Sequence, residues 1–137
     1  MKKLQNIFLL LFLFFGLNQG FSQVYKFKTT GLSVAAKETK GKFGAWSELK
    51  PVTILINLDT KKNRVVIYSE VIQLFEIVEY LPTEESGTDI IYAFVCKDNS
   101  GEDCTISFIT RKNQDNRMQL YVKYENRVLA YNIVNFE

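Results

Sequence analysis

The reactive side chains of this sequence gather around two cysteines, Cys96 and Cys104, and the polar run between them, Asp98-Asn99-Ser100-Gly101-Glu102-Asp103. If the cysteines occupy adjacent antiparallel strands they oppose one another, with Cβ atoms about 4.5–5.5 Å apart, close to what a disulfide requires. An even pair of cysteines in an exported protein is expected to be oxidised. The sequence therefore predicts a cross-strand disulfide, with two buried free thiols as the alternative. The spacing is not that of a C-x-x-C redox motif, and there is no His to complete a zinc site. The polar run offers oxygen ligands, yet its glycine falls fourth rather than at the sixth position of a calcium-binding EF-hand loop. A hairpin loop built from turn-forming residues explains it better.

The absence of His narrows the chemistry further. Ser-His-Asp and Cys-His nucleophile systems are excluded, as are most catalytic metal sites. Ser47-Glu48-Leu49-Lys50 matches S-x-x-K, but no S-D-N or K-T-G accompanies it and the chain is too small for the penicillin-binding fold. Glu76 and Glu79, an odd number of residues apart on a strand, should point to opposite faces, and Glu84-Glu85 falls in a loop. No carboxylate pair for glycoside hydrolysis stands out. An enzyme here would have to work with carboxylates, Tyr, Lys or Ser alone. The sequence favours a non-catalytic protein with no cofactor and no metal.

Residues 1–22 have the three parts of a secretory signal peptide. Lys2 and Lys3 precede an apolar run from Ile7 to Phe15, and Gly20-Phe21-Ser22 places small residues where a signal peptidase reads. The apolar stretch is too short for a spanning helix, which needs about 20 residues. No Cys follows it, so a lipid anchor is not expected. Cleavage would leave residues 23–137 as one domain in the periplasm or outside the cell, with no membrane span. It also changes the electrostatics. The formal charge of +2 comes from Lys2 and Lys3, and the remainder balances its 15 acidic residues with as many basic ones. The short basic clusters Lys61-Lys62-Arg64 and Arg111-Lys112 read as solvated turns, and a neutral domain argues against a nucleic-acid partner.

The elements that must position these groups are strands. Residues 23–137 hold 21 Val and Ile against 13 Leu and Ala, with 14 aromatics, the composition of pleated surfaces rather than helices. Apolar runs at Val24–Thr30, Leu32–Lys37, Val52–Leu58, Arg64–Ser69, Val71–Leu81, Ile90–Lys97, Cys104–Arg111, Met118–Tyr124 and Val128–Phe136 alternate with turn clusters. About eight strands at even spacing predict an all-β, single-domain meander, either an antiparallel barrel or a closed sandwich. Register agrees. Pairing Cys96 with Cys104 sets Phe94 opposite Ile106 and Tyr92 opposite Phe108. A turn at Glu125-Asn126 sets Val122 opposite Leu129, Leu120 opposite Tyr131 and Met118 opposite Ile133. Strand Ile90–Cys96, apolar on both sides, should be covered on both faces. Gly41–Lys50 reads as a loop or one helical turn that packs Trp46 over an end of the barrel.

The stretch from Trp46 onward, with Ile54-Leu55-Ile56-Asn57-Leu58-Asp59, Arg64-Val65-Val66-Ile67-Tyr68-Ser69, Gln73-Leu74-Phe75-Glu76-Ile77, the Cys96–Cys104 segment and Leu120-Tyr121-Val122-Lys123-Tyr124, resembles a group of small exported β-rich proteins of Bacteroidetes-type bacteria. The resemblance implies no catalytic residues. Gly44-Ala45-Trp46 is also similar to the G-x-W of lipocalins, although there the motif lies near the first strand and here two predicted strands precede it. The implied fold is lipocalin-like at most. Tyrosines suit cavity walls and interfaces, having an apolar body and a polar tip. The leading expectation is a barrel that binds a small apolar or mixed molecule, with Tyr92, Phe94, Phe108 and Tyr131 lining a continuous internal cavity. The other is an envelope protein or inhibitor that presents a strand edge or an apolar face to a protein partner.

Overall fold

A computed structural model describes residues 24–36 and 43–136. The expected signal segment, residues 1–22, lies outside them. Among the described residues ten strands form: β1 (Val24–Ala36), β2 (Lys50–Pro51), β3 (Leu55–Asp59), β4 (Arg64–Tyr68), β5 (Gln73–Tyr80), β6 (Glu84–Glu85), β7 (Asp89–Lys97), β8 (Asp103–Arg111), β9 (Arg117–Lys123) and β10 (Arg127–Asn135). β1, β3, β4, β5, β7, β8, β9 and β10 pair antiparallel in succession, and β10 returns to β1, so the sheet closes into a barrel. The two-residue strands β2 and β6 add to β1 and β7. Among the described residues no helix is long and apolar enough to cross a membrane.

Both hairpin registers expected from the sequence are present. They direct one apolar series inward on every strand. Ile56, Val65, Ile67, Phe75, Cys96, Ile106 and Leu120 are wholly buried there, each large side chain contributing about 1.5–3 kcal/mol through removal from water. Strand β7 departs from expectation. Its outward residues Ile91, Ala93 and Val95 are only half-buried, and on the inward side Phe94 and Cys96 are buried while Tyr92 is exposed, so neither face is covered along its whole length.

Three further expectations are corrected. Gly31 does not separate two strands. β1 runs through it, with a bulge against β10 between Thr29 and Gly31, and the missing side chain makes room for Leu49, whose Cδ1 would lie 3.1 Å from an added Cβ. Segment 43–50 contains no helix and does not cover a barrel end. It runs along the outside of β1: Ser47 N–H donates to the Val34 carbonyl (2.7 Å), and Val34 N–H donates to Ser47 Oγ (2.8 Å). Trp46 meets Tyr121 edge-on at 6.0 Å on that outer surface. On the same outer side Ala35 and Ala130 are buried. Thirdly, Glu76 and Glu79 share a face. A second bulge, between Ile77 and Glu79, restarts the alternation, so both carboxylates sit on exposed outward positions.

Thr29 holds the junction where the edge breaks between β2 and β3. Its Oγ1 donates to the Val52 carbonyl (2.7 Å) and accepts from Ile54 N–H (2.8 Å). Both backbone groups face a gap in the ladder, and one hydroxyl satisfies them. Among the described residues no buried side-chain nitrogen or oxygen is without a partner.

Candidate functional site

One end of the barrel is packed shut. Phe75, Ile67, Cys96, Cys104, Val122 and Tyr124 fill it, and the β7–β8 and β9–β10 hairpins lock together across it. Asp98 Oδ1 accepts from Ser100 and Glu102 N–H (2.9 Å each), while Oδ2 accepts from the Tyr124 hydroxyl (2.9 Å). Arg127 stacks on the Tyr124 ring at 3.8 Å and pairs with Glu102 at 3.4 Å. Burial would raise the Asp98 carboxyl, but these hydrogen bonds and Arg127 outweigh it and hold the group below its ordinary range. Burial, with the hydrogen bond to Asp98, pushes the Tyr124 phenol well up. The polar loop is thus a structural plug whose acidic oxygens are engaged by its own turn, by Lys97 beside it and by Tyr124 and Arg127 of the neighbouring hairpin. Among the described residues no cluster of three or more His, Cys, Asp or Glu could hold a metal ion.

The expected disulfide is also corrected. Cys96 does pair with Cys104, yet both thiols are free. Asp98 N–H donates to the Glu102 carbonyl at 2.9 Å, which makes that a hydrogen-bonded pair. Two residues along each strand, Cys96 and Cys104 occupy the same kind of position, where side chains are held farther apart than at the intervening pairs. Their Cβ atoms therefore sit toward the wide end of the cross-strand range, beyond the ~3.8 Å mean of disulfides. Burial pushes both thiols up to about 12, with each other's charge adding for Cys96 and nearby carboxylates adding for Cys104.

The opposite end is open. A cavity of about 490 Å³ enters the barrel there. Its floor is aromatic and aliphatic: Phe27, Leu58, Phe94, Phe108 and Ile133. Tyr25, Thr60, Tyr80, Tyr92, Thr110 and Met118 stand around the mouth, with Leu81 and Thr83 from the β5–β6 connection. Phe108 contacts Phe27 at 5.2 Å and Phe94 at 6.1 Å, and Phe94 meets Tyr80 edge-on at 5.2 Å. Such tilted and edge-on contacts stiffen the floor. The Tyr80 hydroxyl donates to Asn63 Oδ1 at 2.7 Å, which ties the β3–β4 turn to the rim. Burial chiefly raises its pKa, so it remains a hydroxyl at neutral pH.

Of the four residues expected to line a cavity, Tyr92, Phe94 and Phe108 do so. Tyr131 lies in the sealed core, where burial raises its phenol and a hydrogen bond from Gln73 works the other way. The cavity is correspondingly a cup at one end and not a continuous channel. Sequence reasoning missed Tyr25, Phe27, Tyr80 and Met118. Tyr25 and Phe27 do carry a period-two signal. Tyr80 carries none, because the bulge before it reverses its side.

No protein-family model matches the chain, and neither does any curated protein or solved structure. Fold and site together define a closed eight-stranded antiparallel barrel with one plugged end and one open, largely apolar cup.

Proposed function

We propose that this protein is an exported, non-catalytic binding module that holds a small apolar or mixed molecule in the open end of its barrel. The observation that carries the reading is the cup of about 490 Å³, floored by Phe27, Phe94 and Phe108. Its size and apolar lining are those of small-molecule sites. The signal-like residues 1–22 support export. Native mass spectrometry of the protein isolated from its own cell envelope tests it. A small-molecule adduct that is lost on denaturation is expected. A bare protein mass that also fails to take up any apolar probe would overturn it.

A second reading rests on a separate observation. The outer face of β3–β4–β5 carries the cross-strand pair Leu55–Tyr68 and the pair Val66–Leu74, continued at the hairpin by Val71 (75% exposed) and Ile72 (55%). Exposed apolar surface of this kind marks protein–protein contacts. On this reading the protein is an envelope interaction subunit or inhibitor, and the same mass spectrum would show a protein partner in place of the small adduct.

A further inference from the structure

Resting on the small-molecule reading above, we infer that the cup selects uncharged molecules: an apolar, ring-bearing body with a hydroxyl or carbonyl end, and not an anionic amphiphile. Among the described residues that line the cavity there is no Lys, Arg, Asp or Glu. A charge carried inward would lose its hydration and find no counter-charge, and burying an unpaired ion is far costlier than burying a hydrogen-bonding neutral group. The basic residues where β8 leaves the barrel are already engaged. Arg111 pairs with Asp89 at 3.3 Å, and Lys112 pairs with Glu85 at 2.8 Å while donating to the Ser86 carbonyl. Lys61 and Lys62 are exposed on the β3–β4 turn, outside the lining.

The mouth also carries neutral polar residues. Tyr25, Tyr92 and Thr110 line the cavity, and each carries a hydroxyl that can both donate and accept. A bound hydroxyl or carbonyl would meet them while the body rests on the Phe27, Phe94 and Phe108 rings. Offset and edge-on contacts with those rings favour a ring-bearing body over a bare alkyl chain.

The test compares two fluorescent probes with the same ring system, neutral N-phenyl-1-naphthylamine and anionic 8-anilinonaphthalene-1-sulfonate. The sulfonate is fixed to the rings, so it must follow them inward. Saturable binding of the neutral probe, with the anion at least about tenfold weaker and displaced by the neutral one, is the expected result (about 1.4 kcal/mol or more). Thr110→Lys places a cation in the mouth and should shift the ratio of the two affinities at least about tenfold toward the anion. Equal or tighter binding of the sulfonate to the unmodified protein would overturn the neutral selectivity and leave the binding reading standing. Binding of neither probe would overturn both. The comparison on the unmodified protein decides the matter even if Thr110→Lys does not fold, which far-ultraviolet circular dichroism would show.

Discussion

Thiol titration offers a direct check on the arrangement of the plugged end. Cys96 is wholly buried and Cys104 nearly so, and burial pushes both thiols to about 12. At pH 8 the thiolate fraction of such a group is about 10⁻⁴, against about one quarter for an ordinary cysteine of pKa near 8.5, a loss of about 3.4 decades. A more basic thiolate is the better nucleophile, and a Brønsted slope near 0.4–0.5 restores about 1.5 of those decades. Ionisation alone therefore slows a disulfide reagent by about two decades. Within the closed barrel, lack of access slows it further. The alternative route, through opening of the paired strands, restores an ordinary thiol, but if opening costs about 5 kcal/mol, the low end of domain stability, that route is itself slowed by almost four decades. The prediction is that 5,5′-dithiobis(2-nitrobenzoate) reacts with the native protein at least about 10³-fold more slowly than with a free thiol. In 6 M guanidinium chloride without reductant, two thiols per chain should then appear rapidly. Fewer than two thiols in denaturant would mean the wide cross-strand pair is bonded after all. Fast reaction in the native state would mean that the plug is not closed. Either result refutes the reasoning.

Three other perturbations probe the frame around the site. Thr29→Val keeps the shape but strands the Val52 carbonyl and Ile54 N–H that Thr29 Oγ1 now serves; a loss of about 2 kcal/mol is expected, with Thr29→Ser largely restoring it, read as a shift in thermal midpoint. Equal midpoints for Thr29→Val and the unmodified protein would show that water serves those groups instead. The folded Asp98 carboxyl is depressed, so its stabilisation is complete above the unfolded value near 3.9 and is lost as pH falls through the folded value. The thermal midpoints of the unmodified protein and Asp98→Asn should therefore differ at pH 6 and converge on acidification, whereas a gap independent of pH would contradict the hydrogen-bond scheme. Gly101 has φ of 84° and open space around its Cα, so Gly101→Ala should cost about 1 kcal/mol through backbone strain alone, with Gly101→Asn costing less; denaturant midpoints compare them.

Much of the fold was legible because hairpins report their own register. The apolar residues flanking the Asp98–Asp103 and Glu125-Asn126 turns match in pairs when counted from the turn, and those pairs recur in the barrel. Closure was less legible. It depends on β1 meeting β10, residues about a hundred positions apart with no shared turn to set them. Trp46 misled for a related reason. A lone Trp in an irregular segment announces that it packs somewhere, but not that the surface awaiting it is the outer side of β9, at Tyr121. The cysteines show a finer limit. Sequence predicts which residues oppose one another, while the hydrogen-bonding phase of the ladder decides whether opposed side chains come within bonding distance.

Of the two bulges, the one on β5 explains why the cup is free of charge, and the one on β1 keeps the core apolar. A strand without interruption alternates strictly, and each bulge shifts everything beyond it by one residue. On β5, Phe75 and Ile77 face inward. Continued alternation would send Glu79 into the mouth and Tyr80 to solvent. The bulge at Val78 reverses that order, so Glu79 lies opposite the outward Val95 and Tyr80 opposite the inward Phe94. On β1 the bulge at Thr30 does the same. Without it Ser33 and Ala35 would turn inward in place of Leu32 and Val34, which instead oppose Tyr131 and Leu129. One irregularity preserves the apolar floor of the core, and the other exchanges a carboxylate for a tyrosine at the rim. A regular barrel of this sequence would present an acid to anything entering it. The neutral character of the cup thus comes from the register of β5, and Tyr80, tied to Asn63 and set edge-on to Phe94, holds that register at the mouth.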